Sequence, residues 1–207
     1  MNKDYWVLDI ETKGLPESLQ RQVMPSEWPL GNVKDPEKVK TAIAEKERSW
    51  LDCAPLEASR GEVLAIGVIL DDGPEIIHGM DEMTLLKFFR GKATEYSHRT
   101  VVGHNLLGFD IPFLCRRMWK HGIRPPTQWQ DCTPWKAKWA FDTMQYWSCG
   151  NRDQRIGLDL LAWHMGVGRK QGNGSDFAKL YETDKDKALE YIKNDLMLTE
   201  AVYLKMV

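Results

Sequence analysis

The stretch Tyr5-Trp6-Val7-Leu8-Asp9-Ile10-Glu11-Thr12 constrains the fold more than any other. Its aromatic and branched composition is that of a β-strand, yet it carries carboxylates at Asp9 and Glu11. Strand alternation puts Trp6, Leu8 and Ile10 on one face and Val7, Asp9 and Glu11 on the other. Two neighbouring acids on one face of an apolar strand repel each other and are costly to desolvate. A divalent cation resolves both problems. A strand end emerging into solvent resolves them too, and for an Asp-x-Glu pattern alone that is the simpler account.

The rest of the chain supplies a frame. A length of 207 residues with 28% charged side chains suits one soluble domain, or one domain with an insertion. Residues 13–60 are polar, proline-containing and irregular, and read as an insertion between the first two strands. Within them DPEKVKTAIAEKERSWL predicts a helix with Asp35 as cap, Pro36 at its first position, and Val39, Ile43 and Trp50 at helical spacing. Lys38, Lys40, Lys46 and Arg48 among its glutamates predict a solvated face, and the position directly after the acidic strand also suits a lid over a substrate channel.

EVLAIGVIL, from Glu62 to Leu70, predicts a second strand, with a hairpin at Asp71-Asp72-Gly73 and a short strand at Glu75–His78. A helix over MDEMTLLKFFRG, a strand at Thr100–Gly103 and a helix from about Phe109 to His121 follow. A Trp- and Pro-rich loop, FDTMQYW, a helix over GLDLLAWHMG, a glycine-rich basic loop and a closing helix from about Asp184 to Met206 complete the chain. Hairpin strands followed by strand–helix alternation indicate a mixed-sheet α/β domain.

Two further segments carry acids. In GHNLLGFDIPFL, Pro112 is tolerated because it falls in the first helical turn. Asp110 therefore sits at a helix N-terminus near a strand's carboxyl end, where α/β folds gather ligand groups and where an acid also simply complements the helix dipole. In the closing helix, Thr183 with Asp186 reads as a capping box and Leu189, Ile192 and Leu196 as the buried stripe. Tyr191 and Asp195, four residues apart, share a face beside that stripe; an exposed Asp and a half-buried Tyr are the plainer reading.

Strand Asp-x-Glu, helix start Asn105 to Asp110 and late-helix Tyr-x-x-x-Asp, in that order, resemble the DEDD superfamily of 3′–5′ exonucleases. The likeness is to its tyrosine subgroup, since the position five before the final Asp is Glu190, not His. It is strongest to the proofreading domains of family B DNA polymerases and their stand-alone phage and bacterial relatives, and runs through nearly the whole chain. The resemblance implies a ribonuclease H-like fold and hydrolysis of DNA from the 3′ end, single strands favoured. It also implies two divalent cations, Mg²⁺ or Mn²⁺, held by Asp9, Glu11, Asp110 and Asp195, with Tyr191 orienting the attacking water. An exoribonuclease of the same superfamily, and a binding module that retained the fold, are the alternatives.

The resemblance places Thr12 at the 3′-terminal nucleotide, with Asn105 and Phe109 able to line that pocket; turn chemistry and core packing explain the latter two equally well. Arg169 and Lys170 suit a phosphate contact, or a plain solvated loop. Of nine tryptophans, Trp6, Trp119 and Trp163 are expected in the core. Trp129, Trp135 and Trp139, beside Lys136 and Lys138, are placed where bases could stack. Asp142 reads as a helix cap and His104 as a turn residue.

A net charge of −2 announces no global basic field. Cys53, Cys115, Cys132 and Cys149 are too scattered for a zinc site or disulfide framework. No signal-peptide pattern or membrane span is seen. The expected setting is the cytoplasm of a bacterium or phage-infected cell. The expected partner is nucleic acid, DNA ahead of RNA, with replication or repair proteins beyond it and no membrane.

Overall fold

In the computed structural model, residues 3–133, 136–171 and 177–207 are described. Strand β1 (Tyr5–Gly14) is central in a mixed sheet of order β3-β2-β1-β4-β5, where β2 is Gly61–Leu70, β3 Gly73–His78, β4 Thr100–Gly103 and β5 Ala140–Asp142. β1 pairs with β4 in parallel, β4 with β5 in parallel, and β2 with β3 antiparallel. The helices are α1 (Glu17–Gln22), α2 (Pro36–Asp52), α3 (Glu82–Glu95), α4 (Asp110–Lys120), α5 (Thr143–Ser148), α6 (Leu158–His164), α7 (Phe177–Thr183) and α8 (Lys185–Met206). The sheet and its helices make the α/β fold that the sequence predicts.

The chain divides into two compact units, Met1–Glu11 with Val63–Val207, and Thr12–Glu62. In the first, β1 is buried on both faces: Trp6, Val7, Leu8 and Ile10 all lie in the core. Val7 packs in one cluster with Ile69, Val102, Ile192 and Leu196, so the face carrying Asp9 and Glu11 is the one that faces α8. Gly67 on β2 permits the approach of that helix, since a Cβ there would stand 2.6 Å from Ile192 and 2.8 Å from Leu196.

The second unit is held differently. α2 has no buried residue, although its half-buried positions include Val39, Ile43 and Trp50. Asp35 caps it by accepting from the Glu37 and Lys38 amides. The Arg60 guanidinium stacks 3.7 Å from the Trp50 ring centre and donates to the Trp50 carbonyl. Trp28 meets Trp50 edge-on.

Several expectations are corrected. Trp119 and Trp163 are 58% and 59% exposed, because α4 and α6 present Ile111, Leu114 and Met118, and Leu158, Leu161 and Ala162, to the core instead. Trp129 is the reverse: buried, beside Phe89 and Trp139. It offers no face to a base, and Trp135 lies outside the described residues. Asp184, not Thr183, caps α8, accepting from the Lys187 amide; Thr183 ends α7. Leu189 is half-buried and Ala188 takes its place in the core. The helix α7, which follows a glycine-rich stretch of sequence, adds to the elements that the sequence predicts.

Candidate active site

β1 delivers Asp9 and Glu11 toward α8, which supplies Asp195 from its buried side. One carboxylate oxygen from each of the three lies within 4.8 Å of the others; Glu11 and Asp195 are buried and Asp9 is half-buried. Oxygens at this separation can be touched together by one hard cation with bonds of about 2.0–2.6 Å. Asp195 Oδ1 is also buried with no hydrogen-bond partner among the described residues. An all-oxygen donor set with an unsatisfied buried carboxylate atom therefore fits a cation of the Mg²⁺ or Mn²⁺ type.

Asp110 stands at the first position of α4, buried, outside that trio. Its Oδ1 accepts from the Ile10 amide at 3.0 Å, so the backbone between the two β1 acids fixes its orientation. The loop before it is fastened in turn by Asp142. That side chain caps α5 through the Met144 and Gln145 amides and also accepts from the amides of Asn105 and Leu107. Asn105 takes the left-handed conformation, φ 60°, which Asn tolerates better than most residues. Phe109 packs against Phe113.

His104 bonds Thr143 Oγ1 through Nδ1 and the Ile156 carbonyl through Nε2. Burial holds its pKa down at about 4, so the ring is neutral. A carbonyl only accepts, hence Nε2 carries the proton and Nδ1 accepts from Thr143. His104 is a structural tie, as its turn position suggested.

The electrostatics of the acids are strained. Burial, then the Asp195 charge, pushes the Asp9 pKa up to about 7, against the opposing pull of Lys170. Glu11 is raised well above its ordinary value by burial and by Asp9 and Asp195. Asp110 is raised by burial and Asp9, against the Ile10 hydrogen bond. Asp195 is raised by burial while Lys170 lowers it. Like charges crowded in a dry site hold protons until a cation replaces them.

Lys170 is the positive group already among them. Its Nζ lies 2.5 Å from Asp195 Oδ2 and 5.2 Å from the Tyr191 ring centre. Arg169 is directed elsewhere, forming a two-pronged pair with Asp159, whose Oδ1 also accepts from the Lys170 amide. Asp159 thus sets the two basic residues apart, a role for which the sequence offers no signal. The Tyr191 hydroxyl is buried without a well-formed hydrogen bond, and burial raises its pKa further. Thr12 belongs to the second unit, where its hydroxyl donates to the Pro55 carbonyl at 2.6 Å.

A ribonuclease H-like sheet whose central strand feeds an acidic cluster defines the class: an α/β protein with a centre suited to metal-assisted chemistry. More particularly, residues 63–207 match the family described as "Predicted 3′-5′ exonuclease related to the exonuclease domain of PolB", and the chain belongs to that family. The fold is similar to that of the family B DNA polymerase from the hyperthermophilic archaeon Pyrobaculum calidifontis, with a TM-score of 0.61 and 16% identity. That match covers 98% of this chain and 24% of the polymerase, so the chain spans about a quarter of its length. No curated protein matches the sequence.

Proposed function

We propose that this protein is a metal-dependent 3′–5′ exonuclease that hydrolyses DNA from its 3′ end, favours single strands, and releases nucleoside 5′-monophosphates. The observation that carries this reading is the convergence of the Asp9, Glu11 and Asp195 carboxylates within 4.8 Å, on a chain of this family. Asp9, Glu11 and Asp195 would hold one Mg²⁺ or Mn²⁺, and Asp110 with Asp9 a second. Bound cations of this kind supply an activated water and neutralise charge on a leaving oxygen.

The chain's own groups do the remainder. Tyr191, kept neutral by burial, orients the water as a hydrogen-bond partner, because its phenol is too weak an acid to serve as base at neutral pH. Lys170, a half-buried cation beside Asp195, is the phosphate contact nearest the acids, with Arg169 further out. Asn105 and Phe109, on the loop leading into Asp110, are assigned to the terminal nucleotide.

The test is incubation with 5′-labelled single-stranded DNA, duplex DNA and RNA in Mg²⁺ or Mn²⁺. A stepwise ladder from the 3′ end of single-stranded DNA is expected. A ladder on RNA alone makes the protein an exoribonuclease, internal cuts make it an endonuclease, and inertness on all three overturns catalysis.

A further inference from the structure

One surface of the first unit is charged in a way the acidic centre does not use. α4 begins at Asp110 and ends in an exposed face of Arg116, Trp119 and Lys120, residues at i, i+3 and i+4. Arg124 follows just beyond. Its carbonyl accepts from Arg90 Nε at 3.3 Å, which sets α3, and with it Lys87 one turn earlier, beside the end of α4. The two helices are locked below this surface by Glu82, which accepts from Arg117 and pairs with His121.

Among the described residues, no carboxylate forms an ion pair with Lys87, Arg90, Arg116, Lys120 or Arg124. In a chain of net charge −2, that is a local concentration of uncompensated positive charge. Cations at a helix C-terminus complement its dipole, which accounts for Lys120 but not for the residues of α3 or for an indole 58% exposed.

We infer that this α3–α4 face binds the part of a nucleic-acid strand lying upstream of the terminal nucleotide, through phosphate contacts and one stacked base. The inference rests on the exonuclease reading above for its direction, because α4 links the two places. At ~1.5 Å per residue, the helix carries the chain about 15 Å from Asp110 to Lys120, roughly four nucleotides at about 3.4 Å of rise. Unpaired basic groups with an interleaved aromatic are the surface that single strands recognise. A protein partner of acidic character would use the charges but not the length dependence that follows.

The experiment compares fluorescein-labelled dT3 and dT20 by anisotropy in Ca²⁺, using the wild-type chain and the variant Arg116→Gln/Lys120→Gln/Arg124→Gln. A single Trp119→Ala variant accompanies them, with melting curves of every variant as the control of fold. The triple variant is expected to bind dT20 at least tenfold more weakly, with its salt slope flatter by about 2, since each phosphate contact contributes about 0.7 on a single strand. Binding and Mg²⁺-dependent cleavage of dT3 are expected to be unchanged, and Trp119→Ala to weaken dT20 alone. Unaltered dT20 binding, or equal losses on dT3 and dT20, overturns the inference. If wild-type protein cleaves neither oligonucleotide, the exonuclease reading falls, while the dT20 comparison still decides the face.

Discussion

The two units solve the problem of stability by opposite means. Met1–Glu11 with Val63–Val207 has a large buried apolar core, against which it sets the buried acids Glu11, Asp110 and Asp195. Thr12–Glu62 buries little: α2 contributes no buried side chain, and Leu19, Val23, Val33 and Leu56 stay exposed. What holds it is a cap at Asp35, the Arg60–Trp50 stack and the Lys13–Glu62 ion pair. Surface pairs and caps of that kind contribute about 1 kcal/mol each or less. Only a well-packed core tolerates a cluster of desolvated charge, so the chemistry belongs to the unit that can meet its cost.

Mutations test that contrast. Asp9→Asn or Asp195→Ala should abolish Mg²⁺-dependent hydrolysis in the labelled-DNA assay. The loss should exceed the roughly 100-fold typical of residues that only support metal ligands, and circular dichroism should stay native. Retained activity in either variant would sink the site assignment. Tyr191→Phe removes one orienting hydroxyl and should slow the reaction about tenfold, below the roughly 100-fold or more that a proton-transferring group contributes. A loss equal to that of Asp195→Ala would make Tyr191 more than an orienting group.

Gly67→Ala probes the packing that sets α8 against the sheet. Overfilling a tight interface costs about 1–3 kcal/mol, read as a lower urea midpoint, and turnover should fall with it because Asp195 rides on that helix. An unchanged midpoint would show the approach to be loose. Asp35→Ala should do least: about 1 kcal/mol of the second unit's stability, with hydrolysis at its wild-type rate.

The acids make the first unit's stability depend on pH. Folding raises the Asp9 pKa from the usual carboxylate range to about 7. The protonated cluster therefore favours the folded state at low pH, and that contribution is lost as pH rises through about 7. Without divalent cations the melting temperature should decline between about pH 5 and pH 8. Millimolar Mn²⁺ should raise it more at pH 8, where the ligands are deprotonated. Equal Mn²⁺ shifts at both values would mean that these carboxylates are not where the ion binds.

Much of this architecture is readable from the residues, and the exceptions share a cause. β1 declares itself by composition, and Tyr191 with Asp195 by a spacing that any helix enforces. Asp110 is marked by the proline two residues on. Contacts that depend on a neighbouring element leave no such mark. Nothing in the spacing of Lys170 and Asp195 says that they touch, or that Asp159 turns Arg169 away. Trp119 and Trp163 look like core by chemistry, yet which face of α4 or α6 is covered depends on the elements packed there. The helix α7 is hidden because seven residues are too few to display a helical period, and the glycine-rich sequence ahead of them reads as loop.

Lys170 has one more consequence. By placing an ammonium 2.5 Å from Asp195, the chain brings its own counter-charge into the nest of carboxylates. One of the three clustered carboxylates is thereby positioned by a cation that is covalently part of the same chain, while Asp9 and Glu11 have no such tether among the described residues.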